Sequence, residues 1–204
     1  MESARTDAAP ARRDADRAAA ERLFSEYSGG RGLRRIVYTE AEIADRVLAM
    51  GEEIAAHYPP DADILLLGLL KGSFVFIGDL VRCIRRPIHV DFLVASSYGS
   101  GTTTSGEVNL LYDPSAPVAG RHIVVVEDIV DSGTTLNRLM GDLAARGPAS
   151  IEVCALLHKH VAEGLDWEPR WVGFDAPREF LVGYGLDHAE DFRHLPFIAS
   201  LPAE

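Results

Sequence analysis

The chain has 204 residues, 47% of them hydrophobic, 25% charged and 8% aromatic, a globular composition that excludes disordered, collagen-like and membrane-spanning classes. With 20 Lys and Arg against 31 Asp and Glu, the formal net charge is −11, which argues against a nucleic-acid partner or an anionic membrane surface, since both take their affinity from basic side chains. The two cysteines, Cys83 and Cys154, lie inside apolar runs and form no disulfide framework, so a reducing, cytoplasmic setting is expected.

Residues 1–34 differ from the rest. They are rich in Ala and Arg and end in Gly29-Gly30 and Gly32. The acids Glu2, Asp7, Asp14, Asp16, Glu21 and Glu26 argue against a transit peptide, and there is no apolar core for a signal peptide. The segment reads as a flexible N-terminal tail, helical over Asp14–Tyr27, with a glycine hinge. The remainder, 35–204, reads as one domain. Thr39 with Glu42 three residues on has the form of a capping box, and Ile43, Val47, Met50 and Ile54 follow at helical spacing. Ile64–Leu69 is a continuous apolar run, as in a buried parallel strand. After Lys71-Gly72-Ser73, the residues Phe74, Ile77, Val81 and Ile84 mark a second helix. Ile88, Val90, Phe92 and Val94 alternate as in a strand. The polar stretch Ser96–Asn109 is near the upper length for an ordered connection and has the composition of a lid, with Val108–Tyr112 returning as a strand to close a hairpin.

Ile123–Val126 is a further strand, Leu136, Leu139, Met140, Leu143 and Ala144 a helix stripe, Gly147-Pro148 a stop, and Ile151–Leu157 a third apolar strand. Phe180–Leu186 reads as a short strand, and Phe192–Leu201 supplies apolar cover. Strands alternating with helices predict an α/β fold with a mainly parallel sheet. In such sheets ligands bind at the carboxyl ends of the strands.

Chemistry concentrates in the run from Val124 to Leu136. Four apolar residues, Ile123 through Val126, lead to Glu127, Asp128 and Asp131, then to Ser132, Gly133, Thr134 and Thr135, and then to an amphipathic helix. The strand delivers the acids to the sheet edge. Gly133 permits close backbone approach, and the helix start offers N–H groups and a positive dipole end to a phosphate. The acids suit a sugar diol or a divalent cation. Neighbouring strand residues point to opposite faces, so Glu127 and Asp128 serve one site only if the strand ends near Val126. Neither a P-loop nor a dinucleotide fingerprint is present.

This run resembles the phosphoribosyl pyrophosphate (PRPP) motif of type I phosphoribosyltransferases. Leu70-Lys-Gly-Ser73, Ser96-Ser-Tyr-Gly99, Leu157-His-Lys159 and Phe180–Asp187 continuing to Phe192-Arg193 are similar to segments of the 6-oxopurine branch, the bacterial hypoxanthine-guanine phosphoribosyltransferases. The resemblance spans about Arg35 to Leu201. It implies a type I phosphoribosyltransferase fold with a small hood built from the chain ends and a mobile hairpin lid. It implies an enzyme of purine salvage that transfers the 5-phosphoribosyl group from PRPP to N9 of hypoxanthine or guanine with Mg²⁺, working as a dimer or tetramer.

The same resemblance implies the roles. Asp131 accepts a proton near purine N7. Glu127 and Asp128 hold the ribose hydroxyls and, with Asp187, metal. Ser132, Gly133, Thr134 and Thr135 cradle the 5′-phosphate, and Lys71, Gly72 and Arg193 contact pyrophosphate. A cis peptide precedes Lys71, and Ser97 and Tyr98 belong to the lid. Lys159 donates to the purine 6-oxo group, Phe180 stacks on the base, and Leu181 lends backbone groups. Ser73 replaces a usual glycine, and Thr134 stands where relatives carry Lys or an aliphatic residue. An ammonium donates to a carbonyl but has no acceptor for a 6-amino group, which disfavours adenine. A xanthine-preferring transferase and a non-catalytic PRPP-sensing regulator remain as alternatives, although the acidic charge offers nucleic acid no basic face. An acidic receiver domain would have no use for the segment from Phe180 to Arg193.

Overall fold

Apolar runs and apolar stripes alternate along the chain, and the backbone follows them. The structure is a computed structural model that describes residues 8–97, 108–131, 133–160 and 166–202. In chain order the elements are α1 (Ala8–Tyr27), β1 (Arg35–Tyr38), α2 (Glu40–His57), β2 (Ile64–Leu70), α3 (Phe74–Cys83), β3 (His89–Ser97), β4 (Val108–Tyr112), β5 (His122–Val130), α4 (Thr134–Ala144), β6 (Ser150–His158), β7 (Trp171–Asp175), β8 (Leu181–Val182) and β9 (Ile198–Ser200). They fall into two compact units, residues 1–46 with 179–204, and residues 47–178. This division cuts across the single domain expected over 35–204.

The larger unit holds a six-stranded sheet of order β4-β3-β2-β5-β6-β7. Strands β3, β2, β5, β6 and β7 are parallel, and β4 is the antiparallel edge. The central strands are apolar on both faces because helices cover both. On one face α4 packs Leu136, Leu139, Met140 and Leu143 against Leu65, Leu67, Ile123, Val125 and Val153. The α3 stripe is rotated from the expected one: Phe76, Ile77 and Leu80 are buried, whereas Phe74 is exposed. In β3 the burial also runs one residue out of phase with the expected alternation. Asp91 and Leu93 are buried and Val90 is exposed. The reason is Asp91, whose Oδ1 accepts the Phe92 N–H (2.8 Å) and whose Oδ2 accepts the Ala116 N–H (2.9 Å) and the Ser115 hydroxyl (3.1 Å). Burial pushes its carboxyl up, but these donors outweigh burial and hold it below the ordinary range.

The smaller unit holds a three-stranded sheet, β1-β9-β8. Its core gathers Ala20, Phe24, Ile36, Val182, Phe192, Leu195, Phe197 and Ala199. The described part of the segment 1–34 begins at Ala8. Ala8–Tyr27 is a helix, and Phe24, 1% exposed, stacks on Phe192 at 5.8 Å. Burying that ring contributes about 2–3 kcal/mol, enough to dock the segment. The Arg17 guanidinium fixes α1 to β1 by donating to the Ile36 carbonyl at 2.8 Å. The capping box at the start of α2 forms as expected. The Thr39 N–H donates to Glu42 Oε2 at 2.9 Å and the Glu42 N–H to Thr39 Oγ1 at 3.3 Å. The expected strand over Phe180–Leu186 shrinks to β8, and β1 and β7 are strands that the sequence analysis does not anticipate.

Candidate active site

Strand register places the acids. β5 pairs with β6 up to Val130↔His158, so Asp131 and Lys159 leave the sheet side by side. The Lys159 N–H continues the ladder to the Val130 carbonyl at 3.0 Å. The Lys159 ammonium donates to Asp131 Oδ2 at 2.7 Å, with the lysine largely covered and the aspartate half exposed. A cation donor and an anionic acceptor are thus fixed next to each other at the carboxyl end of the sheet.

Beside them α4 begins. Gly133 is its N-cap with φ 75°, a left-handed conformation that glycine adopts without a Cβ penalty. A cavity of about 110 Å³ opens here, lined by Glu127, Ile129, Val130, Asp131, Gly133, Thr135 and Leu136. The first N–H groups of a helix have no partner within it and favour an anion, so the cavity suits a phosphate group with a hydroxyl from Thr135. Ser132 lies outside the described residues, as does the side chain of Thr134. A larger cavity of about 280 Å³ lies in the smaller unit, lined by residues such as Ala19, Ala20, Ala44 and Pro196, and no candidate site residue lines it.

The expectation that the strand ends near Val126 does not hold. β5 runs on to Val130, so Glu127 and Asp128 occupy opposite faces of the strand. Glu127 lines the cavity under α4. Its carboxyl is buried, Oε2 has no hydrogen-bond partner, and burial, with the Asp128 charge adding to it, pushes its pKa well above the usual carboxylate range. An unmatched buried acceptor is costly alone and fits a hydroxyl or cation that arrives with substrate. Asp128 lies against the turn after β2. A Cβ on Gly72 would fall 2.5 Å from its Cγ, so only glycine lets the carboxylate and the Lys71-Gly72 turn meet. The Asp128 Oδ1 accepts the Ile129 N–H at 2.9 Å. The Leu70–Lys71 peptide is cis, as the resemblance implied.

Among the described residues no group of three or more His, Cys, Asp or Glu is arranged to hold a metal. Magnesium, however, is commonly bound through one or two carboxylates plus substrate phosphates. The unmatched Glu127 oxygen in the cavity and the Asp128 carboxylate on the opposite face of β5 are each a single carboxylate of the kind such a site uses.

The smaller unit carries the other expected residues. Phe180 is exposed at the head of β8, with the His188 ring edge-on to it at 5.2 Å. The sequence analysis did not single out His188; its only signal was its place next to Asp187. Leu181 pairs with Ser200, and β8 is an edge strand, so its outer backbone edge has no neighbouring strand among the described residues. Asp187 and Arg193 come together directly. Arg193 Nη2 is 2.8 Å from Asp187 Oδ1, and Nη1 donates to the Gly185 carbonyl at 2.8 Å. The Glu190 N–H donates to Asp187 Oδ2 at 2.9 Å. Of the expected lid, Ser97 ends β3 in register with Val108, and Tyr98 lies outside the described residues. His158 is buried with the His160 ring 3.9 Å away. Burial and that neighbour lower its pKa, and His160 pairs with Asp175 at 2.6 Å. The two histidines that flank Lys159 therefore act as supports of the strand end.

Comparison with known proteins identifies the family. The sequence profile described as a phosphoribosyl transferase domain matches residues 38–189. The hypoxanthine phosphoribosyltransferase of Salmonella typhimurium is 41% identical over 167 residues, covering 81% of this chain and 94% of that protein. The hypoxanthine-guanine phosphoribosyltransferase of Dictyostelium discoideum is 40% identical over 174 residues, covering 84% and 97%. Among solved structures, a hypoxanthine phosphoribosyltransferase from Staphylococcus aureus superposes with a TM-score of 0.79 at 35% identity, covering 83% of this chain and 92% of that one. A hypoxanthine-guanine phosphoribosyltransferase from Bacillus anthracis gives 0.79 at 39% identity, covering 84% and 100%. With matches of this length and identity on a type I phosphoribosyltransferase fold, the chain belongs to the hypoxanthine(-guanine) phosphoribosyltransferase family.

Proposed function

We propose that the protein transfers the 5-phosphoribosyl group of PRPP to N9 of hypoxanthine or guanine, releasing pyrophosphate and giving IMP or GMP. The Asp131–Lys159 pair beside the phosphate-sized cavity carries this reading. A 6-oxopurine presents N7 and its 6-oxygen along one edge. Asp131 accepts a proton from N7, and the ammonium of Lys159, with three donors, serves the 6-oxygen without releasing Asp131. Adenine turns a 6-amino donor toward the same ammonium.

The C1–oxygen bond to pyrophosphate breaks with its electron pair leaving on oxygen, and the N9 lone pair closes the C1–N9 bond. The N7 proton passes to Asp131. The N-terminus of α4 with Ser132, Gly133, Thr134 and Thr135 holds the 5′-phosphate. Glu127, in the cavity under α4, holds the ribose hydroxyls, and Asp128, on the other face of β5 beside the Lys71-Gly72 turn, would hold the metal with Asp187. Lys71, Gly72 and Arg193 take the pyrophosphate oxygens. Phe180 stacks on the base, and the edge of β8 at Leu181 meets its polar rim. Ser97 and Tyr98 close the lid and exclude water. Bound Mg²⁺ supplies charge neutralisation of the departing pyrophosphate. The active assembly is a dimer or tetramer, and the setting is cytoplasmic, in keeping with two free cysteines and no helix among the described residues long and apolar enough to cross a membrane.

The test is a coupled assay with PRPP and Mg²⁺ in which hypoxanthine, guanine, xanthine and adenine are supplied singly. Product with hypoxanthine or guanine, abolished by a chelator, is expected. Preference for xanthine would reassign the base. Silence with all four alongside measurable PRPP binding would overturn the enzyme reading in favour of a PRPP sensor.

A further inference from the structure

The segment that precedes the family match at residue 38 meets the expected site in one place. The loop from Gly183 to Leu195 carries Asp187 and Arg193, and its backbone is unusual. Ala189, Glu190 and Phe192 have φ of 53°, 68° and 74°, left-handed values that cost non-glycine residues free energy and persist only where the surroundings over-determine them. For a bulky residue such as Phe192 this is a genuine outlier. Backbone bonds close the two ends of the loop, as between Gly183 and Leu186 and from Tyr184 to Leu195, but the left-handed stretch itself has only the mutual His188–Asp191 pair at 3.2 and 3.1 Å and the Leu195 N–H on the Phe192 carbonyl at 3.1 Å among its backbone–backbone bonds.

Phe192 is buried with Val182, Leu195, Phe197 and Ala199, and the N-terminal segment adds contacts on both sides of Arg193. Phe24 stacks on Phe192 with ring planes 10° apart. The Arg31 guanidinium lies 4.3 Å from the Phe192 ring centroid and pairs with the Asp191 carboxylate. Tyr27 meets His194 edge-on at 5.9 Å. The residues on either side of Arg193 are therefore held by residues 24–31, and Arg193 itself is aimed by Asp187 and Gly185. We infer that the N-terminal segment is a clamp that positions the Asp187–Arg193 loop for pyrophosphate, with Arg31 as its positioning residue. This inference rests on the proposed role of Arg193.

Arg31 is partly exposed, so its replacement leaves the core intact and isolates the clamp from the fold. The experiment compares Arg31→Ala, Arg31→Lys, Arg193→Ala and the double Ala variant in the reverse reaction, with inorganic pyrophosphate and IMP or GMP, together with amide hydrogen exchange across 185–194. Arg31→Ala is expected to raise the KM for pyrophosphate about fivefold, the size of one lost cation–π and ion-pair contact. The expected change in kcat is under about twofold, because no reacting atom is touched, and exchange in the loop should quicken. Arg31→Lys keeps the ion pair and should recover part of the loss. In the Arg193→Ala background the same change should add nothing to KM, since a positioning residue acts through the group it positions. An unchanged KM for Arg31→Ala while Arg193→Ala raises it would overturn the clamp and leave the enzyme reading standing. Equal rises in both backgrounds would overturn the route through Arg193. Normal KM in Arg193→Ala would remove its pyrophosphate role and the clamp's purpose together, while turnover with hypoxanthine or guanine would still support the reaction.

Discussion

Gly72→Ala is the sharpest test of how the Lys71-Gly72 turn and Asp128 meet. The φ of Gly72 is outside the left-handed region, so alanine meets no backbone strain, and the added methyl is the whole perturbation. That carbon would fall 2.5 Å from Asp128 Cγ, whereas carbon atoms rest about 3.5–4.0 Å apart. It would overlap Asp128 Oδ2 outright, so the carboxylate or the turn must move by at least roughly 1 Å, the scale of misplacement that costs an enzyme about 100-fold. We expect kcat/KM for PRPP to fall by about that factor at saturating hypoxanthine, close to 2.7 kcal/mol of transition-state stabilisation. Straining the Asp128–Ile129 hydrogen bond adds about 1 kcal/mol of destabilisation, a drop in Tm of about 2–4 °C. Gly78→Ala is the control. It lies inside α3 with nothing within 4 Å of its would-be Cβ, so it should stabilise by about 0.5–1 kcal/mol and leave PRPP kinetics alone. If Gly72→Ala kept kcat/KM for PRPP within about twofold of the parent, the contact between Asp128 and the Lys71 turn would have no part in substrate binding.

Asp131→Asn should lower kcat by about 100- to 10,000-fold, the range of general acid–base effects, with Tm nearly unchanged because the side chain is half exposed; rates near the parent's would strip Asp131 of its proton role. Lys159→Ala should raise the KM for hypoxanthine about tenfold or more while PRPP binding, read by calorimetry, changes little; a collapse of PRPP binding would refute base recognition. Asp91→Asn tests the buried carboxylate in β3. Its pKa is depressed in the fold, so its stabilisation is complete above the unfolded value of about 3.9 and is lost as pH falls through the lower folded value. The gap in unfolding free energy between parent and variant, read from urea titrations, should therefore be widest near neutrality, at about 1.5–3 kcal/mol for hydrogen bonds to a charged group, and should close in acid. A gap independent of pH would mean that shape, not charge, holds the segment around Ser115.

The sheet was legible wherever one element buried one clear pattern. Ile64–Leu69 and Ile151–Leu157 are apolar on both faces, and both strands stand within one residue of their expected ends. The stripe on α4 and the capping box at Thr39 likewise depend on residues close in sequence. Errors arose where burial was decided by partners far along the chain. The phase of β3 is set by Asp91, a charged residue that becomes an interior one only because the segment around Ala116 returns to it with two donors. The N-terminal helix looked like a tail because its own pattern is nearly polar all round. Its cover comes from Phe192 and Phe197, more than 160 residues later. β1 and β8 are too short to show a period and exist as strands only through β9.

At the site, identity was legible and geometry was not. Three acids followed by a small polar cradle announced phosphate and diol chemistry, because few structural roles ask for that run. Which acid faces which group depends on where the strand stops, and here period-two alternation was the right rule with the wrong endpoint. β5 continues to Val130, so Glu127 enters the cavity under α4 while Asp128 crosses to the Lys71 turn. The same continuation pairs Val130 with His158 and so brings Asp131 to Lys159. Had the strand ended at Val126, Glu127 and Asp128 would lie together, and Asp131 and Lys159 would have no ladder to align them. Extending the strand by four residues separates one pair of groups and creates the other, and the second pair is the one that a 6-oxopurine edge can match.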